Sequence, residues 1–238
     1  LAMEALNNAG DFKGNLIILV NDNQMSIAEN HGGLYRNLAE LRATNGQAEN
    51  NFFKTFGLDY KYLENGNDIE SLIHLFEEVK DIDHPIVLHI HTEKGRGYQP
   101  ALENKEAFHW HMPFDLETGQ SKVIDSGKSY SSVMLDYMDK KVSEGLPLVA
   151  INAAIPGIFG LKQFAAKYPD RYIDAGIAEQ FTITFGGAMA AAGARPIIFH
   201  NSTFVQRAYD QFWHDLAINE EPAIVIVKGG VISGSDET

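Results

Sequence analysis

The sequence predicts an α/β protein made of two parallel-sheet units with flanking helices, and three observations carry that reading. First, short, nearly unbroken apolar runs recur along the chain, at Asn15–Asn21, Pro85–His91, Leu146–Ile151, Pro196–Phe199 and Pro222–Val227. They do not alternate polar with apolar residues, and Pro, Gly or Asn bounds them, which is the pattern of strands covered on both faces. Second, longer segments of helical spacing lie between these runs, and strand–helix alternation favours parallel strands joined by crossover helices. Third, the stretch 113–130 (PFDLETGQSKVIDSGKSY) is polar and glycine-bearing and has little periodicity. It reads as a linker over 114–128 between a first unit, 1–113, and a second, 129–238.

Taken in order, LAMEALNNAGDF reads as a helix already under way, with no capping residue before it. The segment 28–51 is polar and mixed and predicts one helical turn or two. Over Ile69–Val79 the spacing places Ile69, Leu72, Ile73, Phe76 and Val79 on one face. A second helix is expected over Ser131–Ser143, with Val133, Leu135, Tyr137, Met138 and Val142 as its partial stripe. An Ala/Gly-rich helix is expected over Ala178–Ala194, suited to burial at an interface or beneath a sheet. A fourth, Gln206–Ile218, follows Ser202 and Thr203, either of which could cap it. VISGSDET reads as a glycine-rich loop after a strand. Both ends read as cut from a larger fold.

The chain is 45% hydrophobic and 21% charged, an ordinary globular composition. Nineteen Lys and Arg against 32 Asp and Glu give a formal charge of −13, which makes nucleic acid and anionic membranes poor partners. Cysteine is absent, which excludes disulfides and thiolate metal sites and fits a cytoplasmic location. No apolar run approaches the roughly 20 residues that span a bilayer.

Four places could carry chemistry. VNDNQMSI (20–27) follows a predicted buried strand, where open parallel sheets bind ligands. An Asn there offers a neutral oxygen to a hard cation such as Mg²⁺, or it simply makes a turn. In IAEQ (177–180), Glu179 opens a helix, where the macrodipole favours an acid. Beside Ile177 and Ala178 it could equally be a desolvated functional acid. KGRGY (94–98) pairs two glycines with Lys94 and Arg96, a loop that could cradle an anion or lie on a surface. In FHWHM (108–112), His109 and His111 would share one side of a strand, with His200 and His214 elsewhere. No ligand spacing for zinc is evident, and a satisfied histidine competes with a substrate-contacting His109.

Six blocks in order resemble one family: ALNNAGD, VNDNQMSI, HIHTEKGRGYQPA, FH followed by FD, YPDRYIDAGIAEQ and STFVQRAYDQFWHD. They resemble the 1-deoxy-D-xylulose-5-phosphate synthases, which are transketolase-type enzymes dependent on thiamine diphosphate. The resemblance runs from residue 1 to about 234. It implies a first unit that binds the coenzyme's diphosphate through Mg²⁺ and a second that binds its aminopyrimidine. On that reading Asn23 and the carbonyl of Met25 are metal ligands, and a Gly-Asp-Gly metal motif lies before Leu1. Tyr98 contacts the coenzyme, Glu179 hydrogen-bonds the aminopyrimidine, and Phe204 packs against that ring. Arg207 and Lys228 bind the substrate phosphate, and His109 stands near the reacting carbon. Glu179 is expected to be protonated in an apolar site. The implied substrates are pyruvate and glyceraldehyde 3-phosphate, the product is an isoprenoid and thiamine precursor, and the assembly is a homodimer.

The chain also departs from that pattern. Phe181 follows AEQ where the family usually has His, and Asn201 precedes STF where Tyr is common. Ile158 and Phe159 replace a Gly and a small hydroxyl residue. Ser235 stands near a usual Asp, with Asp236 one step on, and the stretch from Met25 to Leu58 is short. These changes fall around the expected substrate pocket, where lost hydrogen-bond partners can shift specificity by orders of magnitude. Three readings follow: the family's own reaction, a paralogue with another ketol or acyloin substrate, or a catalytically silent relative that acts as a binding partner.

Overall fold

A computed structural model describes residues 2–123 and 127–229; Ser235 and Asp236 lie outside them. The chain divides into two compact units. One comprises Leu1–Met25 and Glu29–Lys122, the other Ser26–Ala28 and Val123–Thr238.

The first unit holds α1 (Ala2–Ala9), β1 (Leu16–Asp22), α2 (Gly33–Ala43), β2 (Asp59–Leu63), α3 (Ile69–Val79), β3 (Pro85–His91) and α4 (Gln99–Glu103). Its sheet has the order β1-β3-β2 and is parallel throughout, with Leu16 opposite Pro85 and Asp59 opposite Ile86. Central β3 is buried along nearly its whole length, as an unbroken apolar run predicts. β1 departs from that expectation: it is an edge of the described sheet, and Leu19 is exposed. Val87 faces a core built from Leu38, Leu41, Phe53 and Leu58. Ile86, Leu88 and Ile90 face the other side, against Leu75 and Val79.

Three features of this unit differ from expectation. β2 (DYKYL) escaped the search for apolar runs because Asp59 and Lys61 interrupt it. α2 runs for 11 residues rather than a turn or two. On α3, capped by Asp68 accepting from the Ser71 amide at 2.9 Å, the buried face is Leu75 and Val79 with Leu72 packed beside them. Ile69, Ile73 and Phe76 of the expected stripe are exposed. The helix is apolar on more than one face, and the underlying strand decides which face is covered.

The second unit holds α5 (Tyr130–Ser143), β4 (Leu148–Asn152), α6 (Pro156–Phe159), α7 (Leu161–Lys167), β5 (Tyr172–Asp174), α8 (Glu179–Ala191), β6 (Arg195–Asn201) and β7 (Ile224–Lys228). Its sheet, β5-β4-β6-β7, is also parallel throughout. Ser129 caps α5 in a reciprocal pair with Ser132. Met138 and Val142 are buried, whereas Val133 and Tyr137 of the expected stripe are exposed. α8 lies against β6 closely enough that a Cβ on Gly186 would meet Ile198 Cδ1 at 2.5 Å, and against the segment Phe212–Ala217 closely enough that one on Gly187 would meet the Asp215 carbonyl oxygen at 2.7 Å. Its glycines therefore serve close packing beside the sheet.

The helix expected over 206–218 is broken. It comprises a turn at Ser202–Val205, a 3₁₀ turn at Gln206–Ala208, a short helix at Tyr209–Gln211 and a π-helical stretch at Phe212–Ala217. Neither Ser202 nor Thr203 caps it, because both lie inside the first turn. The Ser202 hydroxyl instead donates to the Gly229 carbonyl at 2.8 Å, tying this segment to the end of β7.

Candidate functional site

Each unit gathers polar side chains at the carboxyl ends of its parallel strands, where such sheets bind ligands. In the first unit β1 delivers Asp22 into the turn Asn23–Met25. Asn23 Oδ1 accepts from the Met25 amide at 3.1 Å, and Asp22 Oδ1 from the Gln24 amide at 3.0 Å. Gln24 has φ of 67°, a left-handed conformation that costs a non-glycine residue about 1–2 kcal/mol. Asp22 Oδ2 also takes a hydrogen bond from His89 Nε2 at 2.8 Å and an ion pair from Arg42. Burial would raise the Asp22 pKa, but His89, the Gln24 amide and Arg42 outweigh it and hold the carboxyl at about 2. The Tyr60 hydroxyl lies 2.7 Å from His89 Nδ1, and burial with the Asp22 charge raises its own pKa.

The segments on either side of α4, after β3, carry the other expected residues of this unit. Gly95 and Gly97 both have positive φ, and a Cβ on Gly95 would strike the Ala101 backbone at 2.8 Å. Tyr98 follows. Its hydroxyl donates to the Leu116 carbonyl at 3.0 Å, and its ring packs edge-on against Phe108. His109 Nδ1 lies 3.2 Å from Lys94 Nζ, and burial first, then the Lys94 charge, lowers its pKa. The shared-strand geometry expected for His109 and His111 does not occur. The segment is a turn, and His111 stacks among Phe108 and Phe114 instead.

In the second unit Glu179 opens α8 with only 3% of its surface exposed. Its Oε2 accepts from Arg207 Nη1 at 2.5 Å, so a cation stands at the carboxylate rather than the expected apolar surroundings. The Thr182 hydroxyl donates to the Glu179 carbonyl at 2.7 Å and lies 3.0 Å from His200 Nε2. His200 is fully buried, its Nδ1 has no hydrogen-bond partner among the described residues, and burial lowers its pKa to about 4. Phe204 is half-buried against the core around Phe159 and Phe199. Lys228 Nζ donates to the Ile158 carbonyl at 2.7 Å. Asp174 organises the loops after β4 and β5 by accepting from the amides of Ala154 and Gly176, each at 2.9 Å.

The structure therefore joins Asn23 to Met25, and Glu179 to Arg207. It places Tyr98 just before α4 and His109 in the turn after that helix, and it sets Lys228 at the end of β7. Among the described residues no cluster of three or more His, Asp or Glu is arranged to hold a metal, and no helix is long and apolar enough to cross a membrane. Sequence reasoning missed Arg42, His89 and Tyr60. The signal for His89 was a histidine inside an otherwise apolar run, a residue that burial obliges to find partners.

The second unit thus sets a buried glutamate at the start of the helix beside β6, next to a parallel sheet. Residues 126–236 match the family described as the transketolase pyrimidine binding domain. Residues 1–49 and 43–92 match, in two segments, the family described as 1-deoxy-D-xylulose-5-phosphate synthase. Curated relatives of that name agree along the whole chain. The Geobacter sulfurreducens protein is 36% identical over 99% of this chain and 43% of its own. The Geobacter metallireducens protein is 38% identical over 99% and 44%, and the Listeria monocytogenes protein 37% over 100% and 41%. The chain is thus similar over nearly its whole length to 1-deoxy-D-xylulose-5-phosphate synthases, and it spans less than half the length of these relatives.

Proposed function

We propose that the protein is a thiamine-diphosphate- and Mg²⁺-dependent transferase that forms 1-deoxy-D-xylulose 5-phosphate from pyruvate and glyceraldehyde 3-phosphate. The observation that carries this reading is Glu179: a buried acid at the start of α8, beyond the ends of parallel strands, inside the segment that matches a pyrimidine-binding family.

The residues present fit the coenzyme's two ends. An aminopyrimidine presents ring nitrogens, and Glu179 is a desolvated carboxyl able to share a proton with one of them. Mg²⁺ wants hard oxygen ligands, and Asn23 Oδ1 with the Met25 carbonyl supplies two. Asp22 is not a third, because His89, Arg42 and the Gln24 amide already engage it. When bound, the coenzyme supplies a nucleophilic carbon and the electron sink that makes decarboxylation possible. The chain's own residues do the rest. Glu179 holds or moves the proton at the ring nitrogen. Tyr98 and Phe204 orient the coenzyme, and His109, biased toward its neutral form, accepts or donates a proton beside the reacting carbon. Arg207 and Lys228 receive the substrate phosphate. Arg207 must then exchange or share its bond to Glu179, and Lys228 its bond to Ile158. The protein is read as a cytoplasmic homodimer.

The departures from the family pattern support a second reading, a paralogue with another acceptor. Phe159 is fully buried in the core and acts as packing. Phe181 is 52% exposed and stacked on Phe185, and Asn201 ends β6. These two, with the exposed Ile158 whose carbonyl holds Lys228, are the positions at which substrate choice would change. The test is made on the full-length protein. Thiamine diphosphate should bind in a Mg²⁺-dependent manner by calorimetry, and pyruvate should be consumed faster when glyceraldehyde 3-phosphate is present. Glu179→Ala should cut turnover by about 10³-fold or more. Undiminished turnover in that variant would remove Glu179 from the assignment. Turnover that ignores glyceraldehyde 3-phosphate would favour the paralogue, and failure to bind the coenzyme would favour a silent relative.

A further inference from the structure

We propose that Arg42 and Tyr60 are positioning residues for the Asn23–Met25 turn, acting through Asp22 and His89. The inference rests on the reading of that turn as the metal-binding loop. Neither side chain is seen to touch the turn; both reach it through a buried relay.

The geometry is a chain of four side chains from four elements. The Tyr60 hydroxyl on β2 meets His89 Nδ1 on β3 at 2.7 Å. His89 Nε2 meets Asp22 Oδ2 at the end of β1 at 2.8 Å. Arg42, from the last turn of α2, pairs with the same oxygen. The other Asp22 oxygen accepts from the Gln24 amide at 3.0 Å, inside the turn. One carboxylate thus couples two side chains to the backbone that presents Asn23. A carboxylate held on both oxygens cannot rotate, so the Gln24 amide is held with it. Asp22 accepts only, so His89 donates from Nε2, and its Nδ1 faces the Tyr60 hydroxyl.

Two further observations point to positioning rather than simple packing. Gln24 keeps a left-handed φ of 67° without being glycine. Such strain persists where the surroundings over-determine it, and it concentrates at ligand-binding segments. The relay also stands at the ligand-binding end of the sheet, beside that strained residue. Buried ion pairs are weak stabilisers compared with apolar packing, so a fully connected one at this place is better explained by the geometry it enforces. Metal sites depend on such outer partners, whose loss typically weakens metal binding by about 10–100-fold.

The test uses the full-length protein. Mg²⁺ affinity is measured by calorimetry in the presence of saturating thiamine diphosphate, alongside the thermal midpoint of the coenzyme-free protein. Arg42→Gln should raise the Mg²⁺ Kd by about tenfold, Tyr60→Phe by about threefold, and Arg42→Lys should recover part of the loss. Asn23→Ala serves as the control for the metal reading itself. If Asn23→Ala leaves Mg²⁺ affinity unchanged, the metal assignment of the turn fails and this inference with it. If Asn23→Ala abolishes Mg²⁺ binding but Arg42→Gln lowers only the thermal midpoint and keeps the wild-type Kd, the positioning role alone is overturned. Should Arg42→Gln not fold, Tyr60→Phe and Arg42→Lys decide by the same criterion, because neither removes the charge.

Discussion

Asp22 and Glu179 are both buried acids near the ligand-binding end of a parallel sheet, and both meet an arginine. They differ in everything around that pair. Asp22 is held by His89, a backbone amide and Arg42, and the Arg42 side chain is only 16% exposed. Among the described residues Glu179 takes one side-chain partner, Arg207, whose side chain is 42% exposed. A charge with several buried partners is a fixture, since removing any one strands the others away from water. A charge with one half-exposed partner can exchange it, because water solvates the arginine it releases. The first unit has invested its acid in holding a turn. The second has left its acid with a partner that it can exchange.

The sharpest test compares the stability cost of removing each acid. Asp22→Ala should destabilise the first unit by about 3–5 kcal/mol, as expected for breaking a buried charge network. Glu179→Ala should cost within about 1 kcal/mol, since its partner is largely free to hydrate. Urea unfolding with hydrogen exchange read separately on β3 and β6 checks both, and equal losses would break the contrast.

Acid should then separate the two units. The folded pKa of His200 is about 4, below the 6.5 of the free residue, so unfolding takes up a proton between those values. Its contribution, about 3 kcal/mol, is present above pH 6.5 and is lost as pH falls toward 4. The Asp22 pKa falls from 3.8 to about 2, so its contribution persists to lower pH and is lost only between those values. Protection on β6 should therefore decline before protection on β3 as pH is lowered, and the reverse order would refute the assignment. The smallest expected effect is local. Asp68→Ala removes the cap of α3 and should cost about 1 kcal/mol, confined to exchange on β3. An equal shift on β6 would mean that the two units unfold together.

The legible parts of this protein were those set by local pattern. Pro85–His91 was readable because a central strand must be apolar on both faces. The caps at Asp68 and Ser129 follow from short polar side chains before helical spacing, although only the helices were anticipated, not these caps. β2 was hidden because an edge strand tolerates Asp59 and Lys61. Gln206–Ile218 has the spacing of one helix, but it is broken because its irregular turns answer to β7 and α8 rather than to its own periodicity. Among the candidate site residues, Asn23 and Glu179 stood out by their position after strand-like runs. Arg42 did not, because nothing within its own helix marks a side chain that will reach Asp22.

The amino-acid sequence by itself determined the α/β class, the parallel order of strand and helix, and the family resemblance, since apolar periodicity and ordered motifs are properties of the chain read locally. Only the tertiary structure decided which face of α3 is buried, that Arg207 sits on Glu179, and that Tyr60, His89 and Arg42 converge on Asp22. The physical reason is that burial and charge pairing are set by what long-range packing brings together, and residues 67 apart in sequence, such as His89 and Asp22, carry no mark of that meeting until the sheet forms.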